Sequence, residues 1–294
     1  MSLLTPRRPA GDDEFVGEVH VYQPHSVGLP NLRVYLRELW RRREFMHEMA
    51  RTDLRAAHFK TAFGMLWLVL NPLLLGLTYY LLVYVIRGGH REQGFMAHLL
   101  GALFAYHFFQ QSVRASCNSV TGGRRLLMNS SFPRTMLPIA SILTGIMKFV
   151  PTLAIYAVVH VINDQPINAN LLWAIPAFAL LIVFTAGISM LFATMQVYFR
   201  DTRAFLPYLL RILLYLTPIL WTVSDLNERS GGELAKRVIR LNPLFDIIGA
   251  WSQALAGGRP QVSMLVQGAA WAAGALVVGG LVFISREREF AVRL

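Results

Sequence analysis

The chain has three lysines, Lys60, Lys148 and Lys236, and they follow Phe59, Met147 and Ala235. A phosphate-binding loop needs G-x-x-x-x-G-K-[ST], in which backbone N–H groups cradle the phosphates and the lysine reaches the terminal ones. No lysine here follows a glycine, so any ATP that drives this protein is bound by another chain. No Cys/His spacing suits a metal ion, and no Ser/His/Asp arrangement suits nucleophilic catalysis; neither a catalytic nor a metal-ligating residue is expected. Cys117 is the single cysteine and cannot form an intramolecular disulfide. The charges that stand out are Lys148 and Arg211, each inside a long apolar run. A cation near the bilayer centre costs about 2.5–3.5 kcal/mol on insertion scales. That cost is tolerated where the group meets water, a partner or an anionic ligand, and either side chain can also snorkel to the cytoplasmic interface. A guanidinium grips phosphate through two parallel hydrogen bonds. Arg211, together with Arg124 and Arg125, is therefore a candidate for attracting a pyrophosphate headgroup, and Lys148 joins that group. Arg124 and Arg125 can equally be topology anchors. His98 and His107 read as interfacial packing.

Six apolar stretches have to position these groups: Ala62–Ile86, Phe95–Val113, Ile139–Ile162, Leu171–Phe199, Ala204–Val223 and Val262–Ser285. Each is about 19–29 residues long, enough to cross a hydrocarbon core of roughly 30 Å as a helix. In lipid every backbone polar group must be satisfied within its span, so the spans are helices. The sequence is 54% hydrophobic and 15% charged, which excludes a disordered chain. The predicted fold class is an all-α integral membrane protein with six transmembrane helices. The spans contain no Asp or Glu, which argues against proton-coupled transport and against an enzyme with a carboxylate inside the membrane.

The net charge of +11 invites a nucleic-acid reading, but its distribution fits a membrane. Thr121–Arg134 holds three Arg and no acid, Arg200–Arg203 adds two Arg, and the tail after Ser285 adds three, whereas Asn163–Asn170 has no basic residue. Basic residues in alternate loops put both termini, the Thr121–Arg134 loop and the Arg200–Arg203 turn on the cytoplasmic side of the plasma (inner) membrane. Residues 1–30 form a polar, Pro- and Gly-rich segment without the apolar core of a signal peptide. Residues 31–60 alternate an apolar face (Leu32, Tyr35, Leu36, Leu39, Trp40, Met46, Met49) with an arginine-rich one. This is an amphipathic helix, lying in the cytoplasmic interface or packed as a solvated helix. Residues 61–294 form the membrane domain. Within it, Val238–Ala256 is apolar in two halves separated by Asn242-Pro243, which fits a re-entrant hairpin or a plain outer loop. Ala270/Gly274 and Ala275/Gly279 have the spacing that lets helices approach closely.

The aromatics have two readings. Trp67, Tyr79, Tyr80, Tyr84, Phe104, Tyr106, Phe108, Phe109, Tyr215 and Trp221 form lipid-interface belts, or they line a conduit in which sugar rings slide over flat apolar faces.

Four segments carry a family resemblance: RTDLRAAHFKTAFGMLWLVLNPLL (Arg51–Leu74), SFPRTMLPIAS (Ser131–Ser141), YFRDTRAFLPYLLRILLYLTPILW (Tyr198–Trp221) and LNPLFDIIGAW (Leu241–Trp251). In that order they resemble the permease subunit of O-antigen, teichoic-acid and capsule ABC exporters, and the wording is most similar to the actinobacterial (mycobacterial) permeases that export lipid-linked galactan. The resemblance implies a homodimer paired with two ATPase chains that carry the ATP and magnesium. It implies an interface helix at about Asn31–His58 and a coupling helix at about 129–137. Asn129, Ser131, Phe132, Pro133 and Arg134 would meet the ATPase there. It also implies outer gate helices at about 234–256, with Asn242, Pro243 and Phe245 among the gate residues. Spans one and five would form the conduit and its lateral opening. The cargo it implies is a lipid-linked polysaccharide. Two other readings stay open: a permease for a small lipid or drug, and a membrane glycosyl- or phosphotransferase, which would need acidic metal ligands that the Thr121–Arg134 loop lacks.

Overall fold

The computed structural model describes residues 31–58, 61–86, 94–123, 132–224 and 233–293. Among these, every regular element is a helix. The amphipathic segment is two helices rather than one: α1 (Leu32–Arg41) and α2 (Arg43–His58). Asn31 caps α1, its side-chain oxygen accepting the Arg33 N–H at 3.2 Å. The helix breaks at Arg42 (φ −98°, ψ 18°), in the middle of three consecutive arginines.

The long helices are α3 (Trp67–Ile86), α4 (Phe95–Gly122), α5 (Met136–Ile162), α6 (Ala174–Tyr198) and α10 (Val262–Arg286). Four of the six expected spans, those built on α3, α5, α6 and α10, are long and apolar enough to cross a membrane. The second and fifth differ for separate reasons. Helix α4 has 28 residues, but its later half carries His107, Gln110, Gln111, Arg114 and Asn118. Helix α7 (Thr202–Leu216) has only 15 residues, roughly 22 Å at 1.5 Å per residue. It stops at Thr217, which is extended (φ −92°, ψ 144°), as the residue before a proline usually is. Two short helices follow, α8 (Glu233–Arg240) and α9 (Pro243–Leu255). Asn242 caps α9 by accepting the Leu244 N–H at 3.1 Å, and Pro243 fills the first helical position, where its missing N–H costs nothing.

The helices reverse in turn, giving the molecule two ends. The base holds α1, α2, the start of α5 and the C-terminal segment; the crown, opposite, holds α8, α9 and the start of α10. Helix α9 is buried along nearly its whole length, inserted between α4 and α6. The Trp251 indole N–H donates to the Gly101 carbonyl at 2.9 Å. Its ring extends a stack in which Phe149 and Phe178 lie 4.4 Å apart at 14°. Helices α6 and α10 are in backbone contact at Gly187, Ala275 and Gly279; a Cβ on Gly187 would overlap the Ala275 carbonyl, and one on Gly279 would overlap the Gly187 carbonyl. The Ala275/Gly279 spacing is part of this contact.

Candidate functional site

At the base, the described part of the expected coupling helix, Phe132–Thr135, is a turn leading into α5. Asn129 and Ser131, like Arg124, Arg125 and residues 1–30, lie outside the described residues. Pro133 is buried and the Phe132 ring lies 6.2 Å from Phe45 of α2. Arg134 turns inward, its half-buried guanidinium donating to the Glu287 carbonyl. The Tyr35 hydroxyl donates to the Glu287 carboxylate at 2.7 Å. A phenol has one proton, so the Thr135 hydroxyl donates to the Tyr35 oxygen. Burial, and then the Glu287 charge, hold the Tyr35 hydroxyl above its ordinary range. Burial lowers Arg134, opposed by Glu287 and Tyr35. The segment after α10, a tight turn over Glu287–Glu289 and α11 (Phe290–Arg293), closes this network. Phe290 is fully buried with its ring edge-on to Phe283 at 5.1 Å. The Tyr198 hydroxyl donates to Glu289 at 2.5 Å, and the Arg293 guanidinium lies 4.2 Å from the Tyr198 ring centre. The turn before α5, helix α1 and the C-terminal segment are thus tied together. Sequence reasoning missed this, because the partners are up to 252 residues apart and no local pattern joins them.

Toward the middle of the bundle, Lys148 of α5 lines a cleft of about 80 Å³ between α3, α4 and α5, room for a few waters. Trp67, Asn71 and Pro72 form one wall, and Phe104 and Phe108 another. His107 and Gln111, one turn apart on α4, pair with each other inside it. His107 is therefore a cleft residue and not interfacial packing. Asp53 of α2 approaches from the base: burial raises its carboxyl, and the Lys148 charge opposes that rise. The cleft brings Lys148 together with three aromatic conduit candidates, but Phe109 is elsewhere, fully buried and stacked on Phe184 at 5.8 Å.

The remaining candidates fall into two groups. Tyr80 and Tyr84 stack at 6.3 Å on α3, and Tyr79 lies within electrostatic reach of Arg211 and Tyr215 on α7. On α7, Leu206, Leu210 and Leu214 are buried, while Arg211, Tyr208 and Tyr215 are exposed. Arg211 does not line the Lys148 cleft. At the crown, Trp221 stacks on the buried Phe245 at 6.2 Å, and Asn242 both caps α9 and donates to Thr217 at 3.0 Å. Asn242, Pro243 and Phe245 thus shape the start of α9. Four residues from its cap, Asp246 is 3% exposed, and one of its carboxylate oxygens has no partner among the described residues. Burial pushes its carboxyl up to about 6. It was legible as the one acid in LNPLFDIIGAW. Beside α9, a crown cavity of about 400 Å³ opens between the start of α4 and the C-terminal half of α9.

The sequence profile of the family described as ABC-2 type transporter matches residues 46–254. An "O-antigen export system permease protein RfbA" of Klebsiella pneumoniae is 29% identical over 210 residues, covering 70% of this chain and 78% of that protein. A protein of the same name from Myxococcus xanthus is 26% identical over 261 residues, covering 87% of this chain and 97% of that protein.

Proposed function

The chain belongs to the ABC-2 type transporter family, as a transporter membrane subunit and not an enzyme, and on that footing we propose that it is the permease of an ATP-driven exporter of lipid-linked polysaccharide. The observation that carries the reading is the similarity to O-antigen export permeases along most of the chain. The cargo we infer is a galactan or an O-antigen-like polymer on a lipid carrier. The working unit is two copies of this chain with two ATPase chains, which hold the ATP and magnesium. All six apolar stretches cross the plasma membrane, with α4 and α7 shielded by neighbouring helices where their own composition or length falls short. The base, with both termini, faces the cytoplasm.

In this reading each region has a mechanical task. ATP binding closes the ATPase pair against the turn before α5. Phe132 and Pro133, with the preceding Asn129 and Ser131, present the docking surface. Arg134 acts behind it, passing displacement through Glu287 to α10 and through Tyr35 to α1. The exposed faces of α3 and α7 support the assignment of the conduit. Across a two-fold axis they would enclose a path walled by Tyr79, Tyr80, Tyr84 and Tyr215, with Arg211 as its cation. Lys148 gives the cytoplasmic half a second anion-attracting point, for single phosphate oxygens arriving with water, since the cleft is too narrow for a whole diphosphate. Arg124 and Arg125 stand as headgroup candidates on the same side. Helices α8 and α9 form the outer gate.

The test is reconstitution of this chain with its ATPase in proteoliposomes charged with lipid-linked glycan. ATP-dependent appearance of glycan on the far side, lost without the ATPase, is expected. Transfer of glycolipid by this chain alone, or ATP-dependent movement of short lipids but never glycan, overturns the reading.

A further inference from the structure

The geometry of the crown points to a second ligand site: we propose that the cavity between the start of α4 and the C-terminal half of α9 binds an uncharged sugar unit of the exported glycan. This rests on the polysaccharide reading above. At about 400 Å³ the cavity falls within the usual range for small-molecule sites, about 300–1,000 Å³. Among the described residues its lining contains no Asp, Glu, Lys or Arg. In place of charge it offers three amides from three segments: Gln165 after α5, Gln253 on α9 and Gln261 before α10.

Two of these amides are held so that they show opposite faces. The Gln253 carbonyl oxygen accepts the Gln261 backbone N–H at 3.0 Å, which leaves its NH₂ to donate. The Gln165 NH₂ donates to the Asn163 carbonyl at 3.2 Å, which leaves its oxygen to accept. A donor and an acceptor, both planar and neutral, match neighbouring sugar hydroxyls, each of which can both give and take a hydrogen bond. Ser252 also lines the cavity; it is 5% exposed, and its hydroxyl has no partner among the described residues. A buried hydroxyl left unpaired is destabilising, and a ligand hydroxyl would relieve that. The Phe95 ring supplies an apolar wall, suited to the C–H face of a pyranose. Among the described residues the lining offers a phosphate or a uronate no lysine or arginine, unlike the cleft that holds Lys148, and its one imidazole, His98, has Nε2 at 3.2 Å from the Trp221 carbonyl. Under the orientation proposed above, the site meets the polymer as it leaves.

The test uses the permease–ATPase complex in lipid nanodiscs. Saturation-transfer NMR titrations would use methyl β-galactopyranoside and methyl α-glucopyranoside as neutral probes. Methyl galactopyranosiduronate and galactose 1-phosphate serve as charged ones. Saturable millimolar binding of a neutral glycoside is expected, with the charged probes weaker by about tenfold or more. A site built to hydrogen-bond hydroxyls discriminates strongly when those bonds are lost, so Gln165→Leu and Gln253→Leu should each weaken binding by about tenfold. Gln253→Leu also frees the Gln261 N–H, so Ser252→Ala, which leaves that contact intact, is the companion variant and should weaken binding measurably. Absence of saturable binding by either neutral probe, tighter binding of a charged probe, or binding unchanged in all three variants overturns the assignment. If the complex moves glycan yet binds neither neutral probe, the crown site falls and the export reading stands. If it moves no glycan, the export reading falls whatever the probes do.

Discussion

The Lys148 cleft and the crown cavity sit in the same helix bundle and are built from opposite chemistry. The cleft is narrow, walled by aromatic rings, and organised around a cation that Asp53 approaches from α2. The crown cavity has about five times the volume, and among the described residues its polar lining is amides, hydroxyls and the His98 imidazole, with no Asp, Glu, Lys or Arg. Their surroundings differ as well. Near the base, Tyr35 joins the Thr135 hydroxyl to the Glu287 carboxylate, and Arg134 donates to the Glu287 main-chain carbonyl. Buried polar atoms without a partner among the described residues occur in both halves: on Asp246, Ser252 and His160 toward the crown, and on Ser112, Ser189 and Thr202 toward the base. Satisfied buried networks hold one arrangement, whereas unsatisfied groups raise the energy of the arrangement they occupy. The comparison teaches that the base is tied by one network joining three distant segments, whereas around α9 a buried carboxyl and a buried hydroxyl are left open to whatever can pair with them.

Four measurements would break or sharpen that contrast. The largest effect is expected at Lys148. If the cleft attracts phosphate oxygens, Lys148→Ala should lower reconstituted transport about 10- to 100-fold, the equivalent of one charge-assisted contact, with Lys148→Arg closer to wild type. Wild-type transport by Lys148→Ala would make the cation a snorkelling residue. Next comes Asp246. Its carboxyl is raised from 3.8 to about 6, so the folded protein holds a proton that the unfolded chain has released. The stability from that proton is fully present below pH 3.8 and is lost as pH rises through about 6. The difference amounts to about 3 kcal/mol at most. Asp246→Asn should therefore raise the melting temperature at neutral pH and flatten its pH dependence across that window; an unaltered melting curve would show that the carboxylate is solvated in the working protein.

At the base, Tyr35→Phe removes the hydroxyl that bridges Thr135 and Glu287 and leaves a buried carboxylate short of a donor, a loss of about 1–3 kcal/mol. The sharper readout is the ratio of transport to ATP hydrolysis, which should fall because the link to α1 is cut while the docking surface is intact; a constant ratio would reduce the network to a brace. The smallest effect is expected for Asn242→Ala, which removes the cap of α9 at about 1 kcal/mol. Thermal unfolding should register it, and glycoside binding at the crown should weaken slightly as α9 loosens.

The parts of this molecule legible in its sequence were those fixed by local pattern. Long apolar runs demand helices, and the helices under Trp67–Ile86, Met136–Ile162, Ala174–Tyr198 and Val262–Arg286 follow from them. Asn242-Pro243 marks a helix start because one side chain caps and the other lacks an N–H, and α9 begins there. The break at Arg42 was not legible, since the apolar periodicity runs through it; nor was the short α7, whose apolar stretch continues past the point where Thr217 and Pro218 end the helix. For the candidate sites the limit is distance along the chain. Lys148 stood out by itself, but its company in the cleft comes from helices α3 and α4. The crown amides lie in connecting segments and in α9, and nothing in the sequence pattern joins them.

The glycine contact between α6 and α10 has a mechanical consequence. With Gly187, Ala275 and Gly279 in backbone contact, the two helices have no side-chain layer through which to slide, so they behave as one stiff spar. Under the conduit proposed above, widening would then come from swinging α3 and α7 away from it, with the hinges for that swing in the short links before Trp67 and around Thr202.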